Sequence, residues 1–140
     1  LHYPLRRQRQ MCIRDRFRNR ELSQLSGGQR QRVFIAMALA QNTKILFLDE
    51  PTTYLDIRYQ LDILRLVKKL NREYGITIVM VLHEINQAIH FSDEVIGLKD
   101  GKVLVQGDPK DVITTESISE LYDVHLNVAD IDGQKFVLTV

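Results

Sequence analysis

"KILFLDEPTTYLDIRYQLDILRLVKKLNREYGITIVMVL", Lys44 to Leu82, decides the fold. It opens with four consecutive apolar residues, Ile45 to Leu48, that end in two acids, Asp49 and Glu50. Such a run suits a strand covered on both faces, as in a parallel sheet. "ITIVMVL", Ile76 to Leu82, reads as a second fully buried strand, rich in β-branched residues. Between them Leu61, Leu64, Val67 and Leu70 recur on one side of a helix that Asp56 can cap and that Gly75 can end after Tyr74.

Outward from this unit the alternation continues. Upstream, "LSGGQRQRVFIAMALAQ", Leu25 to Gln41, places two adjacent glycines at the mouth of a helix from about Gly28 to Gln41, with Val33, Phe34, Met37 and Ala38 on its approximate repeat. Downstream, "EINQAIHF" reads as a short helix, and "EVIGL" and "VLVQG" as a hairpin about Asp100-Gly101. "PKDVITTESISELYDV" adds short helices, and the tail forms a second hairpin about Asp132-Gly133. The expected fold is α/β, a mainly parallel sheet with flanking helices and a C-terminal β-hairpin.

Composition narrows the classes. A chain of 140 residues with 44% hydrophobic and 26% charged residues has the composition of one globular domain. Its longest apolar run is far below the roughly 20 residues of a membrane-spanning helix. The arginine-rich start is no secretory signal, and the single cysteine, Cys12, makes neither an internal disulfide nor a zinc site. Cytoplasmic location follows as the default.

Charge is unevenly spread. Residues 1–20 carry seven arginines against Asp15, a balance of +6, so the remainder carries −5 of the net +1. Such an arm can contact phosphates. Residues 1–16 are read instead as a basic, non-native leader, since "MCIRDR" resembles a peptide translated from sequencing-adapter DNA; Leu1 fits a start lying further upstream. The domain proper is then 17–140.

In open parallel sheets ligands bind beyond the carboxyl ends of the strands. Asp49 and Glu50 end one strand, and His83 and Glu84 follow the other. An acid at a strand end can hold Mg²⁺, and a second acid can polarise an attacking water. A lone acidic pair there is otherwise a helix cap or solvated turn. The Ser26-Gly27-Gly28 turn exposes backbone N–H groups at the positive end of a helix dipole, a ready phosphate site. A plain N-cap by Ser26 requires neither the glycines nor Gln29.

"LSGGQRQR", "ILFLDEPTTYLD" and "VLHE" stand in the order and approximate spacing of the C-terminal half of an ATP-binding cassette (ABC) transporter ATPase, and the chain strongly resembles that family. The resemblance implies an incomplete P-loop NTPase core with its signature helix. It implies ATP and Mg²⁺, with Asp49 in the metal shell, Glu50 and His83 catalytic, and Ser26, Gly27, Gly28, Gln29 and Asp56 contacting nucleotide across a sandwich dimer. Further stretches, including "GDPKDVIT", resemble the ATPase subunits of bacterial iron(III)-siderophore importers. Implied partners are a second ATPase subunit, membrane permeases and, indirectly, a substrate-binding protein, at the cytoplasmic face of the membrane; no nucleic acid is expected.

No G-x-x-x-x-G-K-[ST] segment occurs in the sequence, and no Q-loop glutamine or adenine-stacking aromatic is recognisable. The chain alone is therefore expected to be inactive, and its strands to expose apolar faces. Two alternatives stand beside the importer: a soluble cassette ATPase acting on nucleic acid or the ribosome, and a non-enzymatic half-cassette that pairs with a complete subunit. Tyr54 reads as a subfamily mark, Glu84 as surface, and His2, His90 and His125 as surface or packing residues.

Overall fold

The computed structural model describes residues 19–139. Residues 1–16, expected above to be a leader, lie with His2 and Cys12 outside the described residues. A short 3₁₀ turn at Leu22–Gln24 leads to helix α1, Gly27–Ala40, then strand β1, Ile45–Asp49, and helix α2, Ile57–Tyr74. Strand β2, Thr77–Val81, helix α3, Ile85–Phe91, and strands β3, Val95–Lys99, and β4, Lys102–Gly107, follow. Helices α4, Pro109–Val112, and α5, Thr115–Tyr122, precede strands β5, Asn127–Ile131, and β6, Gln134–Leu138.

β1 and β2 pair in parallel, from Ile45 opposite Thr77 to Asp49 opposite Val81. The right period and the crossover helix produce this pair. Asp56 caps α2 by accepting from the Tyr59 N–H at 3.1 Å, and Gly75 ends it in the left-handed region at φ 64°. The two hairpins, β3–β4 and β5–β6, are antiparallel. Both close on Asp-Gly pairs with positive φ, Asp100-Gly101 and Asp132-Gly133, which matches the twist that a two-residue hairpin turn needs.

Two apolar cores result. In the first, Ile35 of α1 and Ile63, Val67 and Leu70 of α2 pack with Leu48, Ile78 and Met80 of the parallel pair. In the second, Ile89 of α3 meets Ile113, Ile118 of α5 and Val137 of β6. Asn86 ties α3 to β6 with a reciprocal pair of bonds, donating to the Val137 carbonyl at 3.0 Å and accepting from its N–H at 2.8 Å.

Two expectations are corrected here. The strands are covered on one face only: Ile45, Phe47, Val79 and Val81 share the opposite face and are 53%, 74%, 46% and 53% exposed. α1 and α2 lie on the Leu46 and Leu48 side, and no other described element supplies a second layer; apolar exposure of this kind is what an incomplete core was expected to show. In α1 the buried position is Ile35, while Phe34 and Met37 stand half-exposed. That helix is apolar over much of its circumference, so its sequence period does not select the stripe that meets α2.

Candidate functional site

The parallel register sets the site. Because Asp49 lies opposite Val81, the residues that follow the two strands emerge side by side. Glu50 turns at once into the left-handed region, at φ 47°. Its Oε1 lies 2.7 Å from Nε2 of His83, and its Oε2 accepts from the Thr53 hydroxyl at 3.1 Å. The hydrogen bond from His83, then that from Thr53, holds the Glu50 carboxyl below its ordinary range. Both groups remain open to solvent. This is an ionised carboxylate fixed by a histidine over an exposed strand end, able to orient a polar ligand or water.

Asp49 ends β1 beside this pair and is exposed. Among the described residues no three His, Cys, Asp or Glu side chains are grouped to hold a metal. That donor set fits magnesium in one way only, as a single carboxylate beside water and phosphate oxygens, since Mg²⁺ is commonly held through one or two carboxylates and keeps several waters.

The glycine turn is built separately. Ser26 caps α1 in a capping box: its Oγ accepts from the Gln29 N–H at 3.4 Å, and the Gln29 Oε1 accepts from the Ser26 N–H at 3.0 Å. Gln29 therefore has a place in the cap that the sequence reading did not give it. The first N–H groups of a helix have no acceptor within it, which is what makes such a turn a possible anion site; here Gly27 is exposed and Gly28 buried. Both glycines are also pressed. A Cβ on Gly27 would lie 3.1 Å from Cδ2 of Leu55, and one on Gly28 would lie 3.1 Å from Cδ1 of Tyr59. The turn thus meets the rest of the site through the loop that follows Glu50, rather than through Glu50 or His83.

That loop is shaped by its own turns. The Thr53 N–H donates to the Glu50 carbonyl and the Leu55 N–H to the Thr52 carbonyl, with Pro51 and Thr52 buried. Tyr54 sits at φ 61° and is fully exposed, standing away from the protein. Asp56 has its carboxylate in the α2 cap. Residues that the sequence reading passed over are Thr53, which holds Glu50, and Leu55, Tyr59, Gln60 and Gln87, which join the loop to its neighbours. A hydroxyl three residues beyond Glu50 was a readable signal for the first; the others depend on packing. His90 is a packing residue, with its ring 4.6 Å from that of Phe136, and His125 is exposed, as expected.

Residues 5–53 match the ABC transporter family. The chain is 51% identical over 106 residues to the ferric enterobactin transport ATP-binding protein of Escherichia coli (strain K12), a match covering 76% of this chain and 39% of that protein. It is 50% identical over 109 residues to the petrobactin import ATP-binding protein of Bacillus anthracis, covering 78% and 40%. Among solved structures, a dimeric ATP-binding cassette in a post-hydrolysis state bound to ADP and Pi superposes with a TM-score of 0.60 at 49% identity, covering 67% of this chain and 40% of that one. The chain spans about two fifths of the length of the curated relatives it matches. By its identity to these proteins over about three quarters of its length, the chain belongs to the family of ABC transporter ATP-binding proteins.

Proposed function

We propose that this chain is the signature-bearing and water-activating portion of an ATPase subunit that drives an importer. The observation that carries the reading is the 2.7 Å contact between Glu50 and His83 at the paired strand ends. Glu50, held ionised, accepts a hydrogen bond from the attacking water and aims it; a carboxylate with a lowered pKa is a weak proton acceptor, so its work is orientation and polarisation. His83 fixes that carboxylate and contacts the terminal phosphate. Bound Mg²⁺ supplies charge neutralisation and Lewis acidity to the phosphates, with Asp49 as its protein ligand. Ser26, Gly27, Gly28 and Gln29 offer the start of α1 to nucleotide held by a paired subunit, and Asp56 stands in the loop between the two sites.

Lacking any G-x-x-x-x-G-K-[ST] segment, this polypeptide by itself turns over ATP negligibly. Its cargo class is iron(III)-siderophore, in line with the relatives named for ferric enterobactin and petrobactin transport. Membrane permeases are its docking partners, a substrate-binding protein acts indirectly, and its place is the cytoplasmic face of the membrane. Among the described residues no helix is long and apolar enough to cross a membrane.

A chimera tests this reading. The matched 106-residue stretch of the ferric enterobactin transport ATP-binding protein is replaced by the corresponding residues of this chain. The chimera should hydrolyse ATP and restore uptake, and Glu50→Gln should lower kcat by about 10²-fold or more. A folded chimera whose turnover is indifferent to Glu50→Gln and His83→Ala would refute it.

A further inference from the structure

A chain of amides joins α3 to the start of α2. Gln87, in the second half-turn of α3, donates from Nε2 to Oε1 of Gln60 at 2.8 Å; Gln60, in the first turn of α2, donates from Nε2 to the Leu55 carbonyl at 2.9 Å. The direction of this chain is fixed chemically. A carbonyl only accepts, so Gln60 must turn its NH₂ to Leu55 and its oxygen to Gln87, and Gln87 must answer with its own NH₂. The cost is visible: Oε1 of Gln87 is buried with no partner among the described residues. A buried acceptor left unpaired is unfavourable, so the arrangement is retained against a local penalty.

Each end of the chain leads to the site. Gln87 lies four residues beyond His83, on the helix that Asn86 clamps to β6. Leu55 carries the amide chain's last carbonyl and presses its Cδ2 against the place where Gly27 has no Cβ. Gln60 is flanked by Tyr59, whose ring covers Gly28.

We infer that Gln60 and Gln87 are positioning residues that fix the Tyr54–Asp56 loop to the helix following His83, and through Leu55 and Tyr59 fix the Gly27-Gly28 turn, so that the phosphate-contacting histidine and the glycine turn offered to the paired subunit move together. The functional half of this statement rests on the nucleotide reading proposed above; the mechanical half does not. Contiguity alone does not demonstrate coupling, so the two glutamines must be perturbed singly and together.

The test is amide hydrogen exchange by NMR on the full 140-residue chain, with Gln60→Met, Gln87→Met and the double variant. The readouts are the N–H groups of Leu55 and Gln29, and the N–H of Val67 in the middle of α2 reports global opening. Gln87→Met should speed exchange at Leu55 and Gln29 by about three- to tenfold, the effect of one lost hydrogen bond, with Val67 within about twofold of the parent. The double variant should be no faster than Gln60→Met alone. Gln87→Lys, which keeps a donor for the Gln60 oxygen, should return both amides to near the parent rate. The inference is overturned if Gln87→Met leaves Leu55 and Gln29 unchanged, if Val67 accelerates by the same factor, if the single effects multiply in the double variant, or if Gln87→Lys behaves like Gln87→Met. An inactive chimera would defeat the nucleotide reading and leave the exchange result standing.

Discussion

Gly28→Ala separates two reasons for a glycine at the mouth of α1. If the glycine serves only to let a phosphate approach, alanine should stabilise the unliganded chain, because it is the better helix former by about 1 kcal/mol. The structure predicts the opposite. The added Cβ would meet Cδ1, Cγ and Cβ of Tyr59 at 3.1, 3.3 and 3.4 Å, so the ring must retreat by a few tenths of an ångström along its whole inner edge. Overpacking of this kind costs about 1–3 kcal/mol, which leaves a net destabilisation of about 0–2 kcal/mol after the helix gain. Tyr59 is 39% exposed, so its ring has some room to yield and the lower half of that range is expected. The assay is urea unfolding of four proteins: parent, Gly28→Ala, Tyr59→Ala and the double variant. With the ring removed, Gly28→Ala should change sign and stabilise, by up to about 1 kcal/mol. A sign change between the two backgrounds is robust against errors in either absolute value, since residues in contact show interaction energies of about 0.5–3 kcal/mol. Stabilisation by Gly28→Ala in the parent background, or equal effects in both, would refute the packing argument.

Three further outcomes follow from named contacts. The Glu50 carboxyl should titrate below its ordinary 4.5, and His83→Ala should move the midpoint back towards it, as read by carbon NMR of the side chain. Because its folded pKa is depressed, whatever stability Glu50 contributes is complete above that ordinary value and lost as pH falls through the lower, folded one. Ser26→Ala should cost about 1 kcal/mol in urea unfolding through loss of the capping box, and Gln29→Ala should share part of that loss. Phe47→Thr with Val79→Thr should reduce dye binding and self-association measured by light scattering while changing stability by no more than about 0.5 kcal/mol, since both side chains lie on the uncovered face.

Much of this was legible in the residues. The strands, the crossover helix with its Asp56 cap and Gly75 end, and both Asp-Gly hairpins are local or periodic features, and local chemistry suffices for them. Adjacency of Glu50 and His83 was legible too, because parallel pairing brings the carboxyl ends of consecutive strands together. The exposed side of β1 was hidden, because "ILFL" is equally apolar on both faces and says nothing about which one is covered. The choice of Ile35 over Phe34 in α1 was hidden for a similar reason: only the position of α2 decides it. Gln60 and Gln87 were passed over because amides carry no charge and no motif. Their significance arises from a contact between residues 27 apart in sequence.

The glycine pair itself changes meaning under this description. It stands at the first turn of α1, where backbone N–H groups lack helical acceptors, and Leu55 and Tyr59 leave little room there for a side chain. Two demands, access and close packing, fall on the same two residues. A chain that bound no nucleotide would still favour Gly27 and Gly28 for the second reason, so the glycines alone do not argue for phosphate chemistry. The 2.7 Å contact between Glu50 and His83 joins two exposed side chains, although Glu50 also takes part in the turn to Thr53. Both groups are solvent-exposed, Glu50 has a left-handed backbone at φ 47°, and surface ion pairs contribute little to stability. The proposed chemistry therefore rests more on the Glu50–His83 pair at the strand ends than on the glycine turn, whose glycines close packing alone would favour.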